Sequence, residues 1–319
     1  MKIGFVLDIV NLRGMAVAIY DYADHNERLL NNESYLFYFN GYLKGSTPQY
    51  AALKKFGDRF KHLIPFNNYE EIHALSRQHK IDFIYKVCWG ADESEKLINR
   101  SCPWGIHVIF RRNSPYGDKY VYLSEWLRSV CNPKAEFVPP MITLPETKET
   151  LKGVLNIPNG STVLGCYGGR TSFDLFFAQQ AVIKSLEKRS DIFYLFMNID
   201  KFCENDRCIF IPGTYDLLRK AAFINSCDAM LHARKRGETF GIAIGEFSSK
   251  SKRIITYAYS PEREHYRILG DKAVLYRDEE TLLNILLSTS KEEGDLDCYS
   301  KQFSPEAVMP IFSKVFLGE

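Results

Sequence analysis

Apolar runs rich in β-branched and aromatic residues recur in the first half of the chain at 3–10, 35–39, 62–66, 81–87, 106–110 and 137–138, with helical spacing in most of the gaps. Strands alternating with helices of that length predict βαβ units, because a parallel neighbour is reached only through a long crossover. Residues 1–144 therefore read as one Rossmann-like domain. Pro139, Pro140 and Pro145 break the pattern as a linker, and a new helical stretch is expected over 146–155. The layout then repeats, with strands at 162–166, 192–198, 208–211, 229–232 and 253–257, predicting a second parallel sheet in a domain spanning 145–319. Phe173, Phe176, Phe177, Ala181 and Leu186 fall at helical spacing and are expected to form one core-facing stripe. A last helix is expected over 305–316, free to pack back on the N-terminal domain.

The totals fit this plan. A chain of 319 residues can bury two ordinary cores, and 45% hydrophobic with 25% charged residues is the balance of a globular protein. No apolar run reaches the roughly 18 residues of a membrane span. A formal charge of +2 excludes a nucleic-acid field, so any anion site must come from a local cluster. Of the eight cysteines the closest pair, Cys203 and Cys208, lacks metal-ligand spacing, and reduced thiols are expected. The N-terminal residues run straight into a strand pattern, from which a cytoplasmic location is expected.

Residues 233–247, ARKRGETFGIAIGEF, concentrate the candidate chemistry. Seven residues separate Glu238 from Glu246. If Gly241 opens a helix, the two carboxylates lie about 12 Å apart, close to the span from a sugar to a ribose across a diphosphate. The N–H groups of Phe240, Gly241 and Ile242 would then face an anion, with no side chain on Gly241 to hold a phosphate away. Two acidic residues at this spacing are common on solvated helices, so the flanking strands and the Phe-Gly step carry the inference. The basic residues 233–236 lack aromatic interleaving, which favours phosphate over polynucleotide.

Residues 212–257 resemble the donor-binding half of glycosyltransferase family 4, retaining enzymes of the GT-B architecture. GCYGGR at 165–170 resembles that family's glycine-arginine turn, and FVPP at 137–140 its interdomain hinge. In the first half the likeness rests on Arg13-Gly14 and on LSEWL at 123–127. The resemblance implies an α/β fold of two Rossmann-like domains whose parallel sheets face a central cleft. It makes Glu246 the acceptor for ribose hydroxyls, sets Glu238 beside the transferred sugar, and gives Arg170 the diphosphate. Gly14, Gly169, Gly213, Thr214, Thr239, Phe240 and Gly241 would complete the donor site. Asp174 stands where the family carries a lysine, and Arg234 and Lys235 are the expected replacements. The departing phosphate oxygen is then expected to take the acceptor's proton, with no cofactor and no metal. The acidic triplet at 295–297 lies outside any strand-end context and is discounted as a metal site.

Open α/β sheets bind ligands beyond their strand ends, so residues 107–120 are the expected acceptor loop, with Arg111, Arg112, Tyr116 and Asp118 as contacts. Lys86 shares that edge, whereas His107, inside an apolar strand, is expected in the core. The basic stretch 50–64 reads as a surface helix interrupted by Gly57, with membrane contact at most peripheral. The expected activity is transfer of a sugar, with retention, from a nucleoside-diphosphate sugar to a hydroxyl of a glycan, lipid-linked or protein-linked acceptor. A non-hydrolysing sugar-nucleotide epimerase uses the same plan and is the nearest rival, followed by a non-catalytic nucleotide-sugar binder. Hydride transfer is disfavoured, because DIVNLRG at 8–14 lacks the three-glycine dinucleotide turn.

Overall fold

The computed structural model describes residues 1–11, 14–41, 50–291 and 294–319, so Arg13 lies outside the described residues. The chain divides into two compact units, Met1–Met141 with Phe303–Glu319, and Ile142–Gln302.

Unit 1 is built from β1 (Lys2–Leu7), α1 (Gly14–Arg28), β2 (Glu33–Phe39), α2 (Tyr50–Arg59), β3 (His62–Phe66), α3 (Tyr69–His79), β4 (Phe83–Cys88), β5 (Trp104–Val108), β6 (Lys119–Tyr122) and α4 (Glu125–Cys131). Among the described residues its strands form one parallel sheet in the order β3-β2-β1-β4-β5-β6. The change of direction between β1 and β4 is where such sheets open a crevice at their C-terminal edge. Every residue of β4 and β5 is buried, the mark of central strands covered on both faces. The helix Pro305–Phe312 joins this core: Phe312 stacks on Tyr22 at 5.1 Å, and Phe316 meets Tyr85 edge-on at 5.2 Å. Burying each such ring stabilises the unit by roughly 1.5–3 kcal/mol.

Unit 2 comprises β7 (Thr162–Tyr167), α5 (Phe176–Lys188), β8 (Ile192–Met197), β9 (Cys208–Ile211), α6 (Leu217–Asn225), β10 (Ala229–His232), β11 (Gly237–Glu238), α7 (Ile242–Ser248), β12 (Arg253–Tyr257), β13 (Glu262–Arg263), α8 (Glu264–Leu269), β14 (Ala273–Tyr276) and α9 (Glu279–Ser288). Its main sheet, also parallel, runs β14-β12-β10-β7-β8-β9, and β11 pairs with β13 as a separate two-stranded piece. The edge strand β14 was not expected from the pattern.

Four local expectations are corrected. Residues 137–138 are not a strand; β6 takes the sheet edge, and Phe137 makes only an isolated bridge to Tyr122, since Pro139 and Pro140 have no N–H to extend a ladder. Helix α2 runs through Gly57 unbroken. Phe56 and Phe60 each pack on Tyr20 at 5.3 Å and Arg59 bonds Asp24 and Glu27, contacts that together outweigh the ~1 kcal/mol a mid-helix glycine costs. Residues 146–155 are not helical, because side chains of another element take their backbone groups. Asn225 donates to the carbonyls of Thr147 (2.7 Å) and Glu149 (3.1 Å), and the Leu151 N–H donates to Ser226 at 2.7 Å. Finally, Phe176 is 73% exposed. The buried stripe of α5 is Ala178, Ala181, Val182, Ser185 and Leu186, with Phe173 buried just ahead of the helix, and Phe176 sits about 200° round the helix from Ala178.

Candidate functional site

Glu238 lies just beyond the C-terminal end of β10, and three local features aim it. Gly237 adopts φ +76°, and a Cβ there would fall 2.2 Å from the Glu262 carbonyl oxygen, so only glycine lets the β11–β13 pair form. Gly241, at φ +91°, caps α7, and a Cβ on it would crowd the Glu238 Cβ at 3.3 Å. The carboxylate is then gripped from two sides: Arg234 Nη1 lies 2.9 and 2.8 Å from its two oxygens, and His232 Nε2 lies 3.4 Å from Oε1. Burial pushes this carboxyl up, but the histidine and guanidinium outweigh it and hold the group at about 2. Glu238 is thus a fixed anion at neutral pH.

Behind it stands a polar chain. His232 Nδ1 lies 2.8 Å from the Thr256 hydroxyl, which in turn lies 3.4 Å from His265 Nε2. The geometry fits the tautomer in which His232 directs Nε2–H at Glu238 and accepts from Thr256. Burial lowers His265 to about 3, so it stays neutral and adds no charge beneath the site.

Glu246 is the fifth residue of α7, buried, with Oε1 2.8 Å from Lys220 Nζ on α6. Gly241 caps this helix as expected, but the chain from Glu238 to Gly241 is not helical, so a ruler of uniform helical rise does not describe the Glu238 to Glu246 span. Thr239 and Phe240 are buried.

The glycine-arginine turn follows β7. Asn198, in a left-handed conformation after β8, donates to the Gly168 carbonyl at 2.6 Å, and a Cβ on Gly213 would meet the Asn198 side chain at 3.0 Å. Gly169 faces open space. Arg170 is largely exposed and pairs with Asp200 at 2.7 Å. Asp174 accepts from the Lys235 N–H at 2.6 Å, and its own N–H donates to Ala233, lacing this turn to the 233–238 loop. Arg234 is directed to Glu238, while the Lys235 side chain is exposed. Thr214 accepts from the Asp216 N–H at 3.1 Å in the turn before α6.

In unit 1 the predicted acceptor contacts separate into two groups. Arg111 and Arg112 are exposed beyond β5. Tyr116 is buried with its hydroxyl 3.2 Å from Glu93, and Asp118 is occupied by the Trp104 N–H (2.8 Å) and by Arg100 (3.3 Å). Gly14 is exposed at the first position of α1. His107 is a core residue, as expected, with Nδ1 2.6 Å from the Tyr85 hydroxyl and burial lowering it to about 4. Sequence reasoning missed His232, Lys220 and Asn198. None of the three left a distinct signal, since Lys220 follows Arg219 directly and reads as one of two adjacent cations ahead of the apolar run 221–224.

Both units thus follow the two-Rossmann plan of the GT-B architecture. No family model matches the chain, and no curated protein sequence does. Solved structures do. The Anabaena protein HepE in complex with UDP-glucose is similar over 100% of both chains at TM-score 0.73 and 13% identity. A glycosyltransferase from Rickettsia africae ESF-5 is similar over 100% of this chain and 99% of its own, at TM-score 0.67 and 12% identity. A UDP-N-acetylglucosamine 2-epimerase is similar over 100% and 96%, at TM-score 0.62 and 13% identity. The fold is therefore one that serves glycosyl transfer and sugar-nucleotide epimerisation alike.

Proposed function

We propose that the protein is a glycosyltransferase that takes a sugar from a nucleoside-diphosphate donor bound by unit 2, with retention of configuration. The observation that carries this reading is the Glu238 carboxylate, ionised and clamped by Arg234 and His232 at a strand end, in a fold that holds UDP-glucose in HepE. A fixed anion beside the anomeric carbon stabilises the positive charge that grows there as the bond to the diphosphate breaks. Glu246, steadied by Lys220, takes the ribose hydroxyls. Arg170 and Lys235 meet the diphosphate oxygens, which places charge neutralisation on side chains rather than on a metal ion. The leaving oxygen then removes the acceptor's proton.

Glu238→Gln tests this directly: transfer from UDP-glucose should fall at least 100-fold, with UDP affinity and thermal stability close to the parent and with parent activity surviving EDTA. Unchanged transfer in the variant removes Glu238 from the reaction.

A second reading has its own support, because the Glu238 and His232 pair also supplies adjacent acid and base groups and the fold is shared with an epimerase. Proton NMR of UDP-N-acetylglucosamine incubated without acceptor separates the two. Inversion at a ring carbon identifies an epimerase, whereas slow hydrolysis fits a transferase.

A further inference from the structure

Unit 1 carries a second polar cluster at the C-terminal edge of its sheet. The register pairs Val6 with Lys86 and Cys88 with Val108, so Asp8, Trp89 and Phe110 emerge side by side just past β1, β4 and β5. Lys86 is 1% exposed, and its ammonium contacts Glu93, lies 3.6 Å from Asp8 Oδ2 and sits 4.6 Å above the Tyr69 ring. Tyr69 in turn donates its hydroxyl to Asp8 Oδ1 at 2.5 Å. Glu93 is saturated by Lys86, Lys96 and Tyr116. Asp8 is not: Oδ2 lies beyond hydrogen-bond length from Lys86, on a carboxylate 30% exposed.

Burying an ammonium costs several kcal/mol even when paired, and replacing a whole buried ion pair by apolar residues is often neutral or stabilising, so stability alone does not account for a lysine at that position. What the lysine does here is hold Asp8 as a fixed acceptor at the mouth of the sheet. Beside it Trp89 is 61% exposed although it follows a fully buried strand, and its ring is propped edge-on by Phe110 at 6.0 Å. A flat exposed indole with a negative π-face suits the C–H bonds on one face of a pyranose, and a neighbouring carboxylate suits its hydroxyls.

We propose that Trp89 and Asp8 form a carbohydrate subsite on unit 1, in which the indole stacks on a pyranose ring of the acceptor and Asp8 Oδ2 accepts one of its hydroxyls. Lys86 and Tyr69 are positioning residues for Asp8. The subsite rests on the glycosyl-transfer reading above, for which it defines the acceptor as a saccharide.

The test is protection of tryptophan fluorescence from acrylamide in the full-length protein, with cellobiose, lactose, maltose and N,N′-diacetylchitobiose as probes. Trp104 is fully buried, and Trp89→Phe supplies the baseline for the remaining tryptophans. At least one disaccharide should protect the parent saturably and leave Trp89→Phe unprotected. Asp8→Asn keeps an acceptor for Tyr69 but loses the second carboxylate oxygen, and should weaken that binding about tenfold. Circular dichroism and UDP-glucose affinity should match the parent in both variants. Protection by none of the four sugars overturns the proposal, as does equal disaccharide affinity, by calorimetry, in both variants and parent. UDP-glucose titration keeps the two readings apart: disaccharide binding without donor binding sinks only the transferase assignment, and donor binding without disaccharide binding sinks only the subsite.

Discussion

A single nitrogen of Arg234, Nη1, bridges both carboxylate oxygens of Glu238, at 2.9 and 2.8 Å, from four residues earlier in the same loop. The contact reaches the carboxylate without needing the full guanidinium fork, and the Glu238 charge in turn raises the Arg234 pKa.

Arg234→Ala should therefore lower kcat about 100-fold while leaving UDP affinity within a few-fold, since it loosens the carboxylate rather than the nucleotide. Arg234→Lys should recover part of the loss, because one ammonium can occupy the bridging position. Steady-state kinetics with UDP-glucose decide it, and equal defects in the two variants would mean that the guanidinium acts elsewhere.

Lys220 and Glu246 form an ion pair with side chains only 10% and 4% exposed. Removing one member strands the other charge, so Lys220→Met should destabilise unit 2 by about 3–5 kcal/mol, and Lys220→Met with Glu246→Leu should regain much of that. Urea denaturation measures both. On the proposed donor geometry, in which Glu246 takes the ribose hydroxyls, the double variant should still bind UDP poorly.

Gly237 and Gly169 should respond oppositely to alanine. At Gly237 the left-handed backbone and the Glu262 oxygen leave no room, and Gly237→Ala should cost several kcal/mol and abolish activity. At Gly169 a methyl meets nothing within 4 Å, so Gly169→Ala should fold with a parent-like melting temperature. A drop in UDP-glucose affinity without a drop in stability would place the diphosphate against that turn.

Acid should destabilise the protein well before its carboxylates titrate. His107 and His265 are held neutral by burial, at about 4 and about 3, below the ordinary histidine value near 6.5. In the window between those values the unfolded chain binds more protons, so stability present above pH ~6.5 is lost as pH falls toward them, by roughly 1–2 kcal/mol per histidine at about pH 5. Glu238 adds a second, lower window: its depressed carboxyl contributes stability above about pH 4.5 that disappears as pH falls toward about 2. His107→Asn keeps an acceptor for Tyr85 and should flatten the upper window in urea midpoints measured at neutral and mildly acid pH.

The architecture was legible because periodicity is a local signal. Strands of β-branched and aromatic residues separated by long helical spacings favour parallel pairing, and both six-stranded sheets are parallel. The misses share another cause. Residues 146–155 have helical composition, but Asn225 and Ser226, some seventy-five residues later, claim the backbone groups a helix would need. Gly57 looks like a breaker until Tyr20 and the Arg59 ion pairs are set against it. At the candidate site, Glu238, Glu246 and Gly241 stood out through the flanking strands and the Phe-Gly step, whereas His232 did not, because a histidine ending an apolar strand looks the same whether it faces a core or a carboxylate. Arg234 was found but expected on phosphate, since a sequence shows a charge without its direction.

The core of unit 1 depends on Phe312 and Phe316, which reach Tyr22, Tyr85 and His107 from more than two hundred residues away. During translation that hydrophobic interior stays open until every residue of unit 2 has left the ribosome, so the first half to be made is the last to be sealed. Chaperone demand should accordingly peak late in synthesis, and a stop codon ahead of Phe303 would harm the unit farthest from it in sequence.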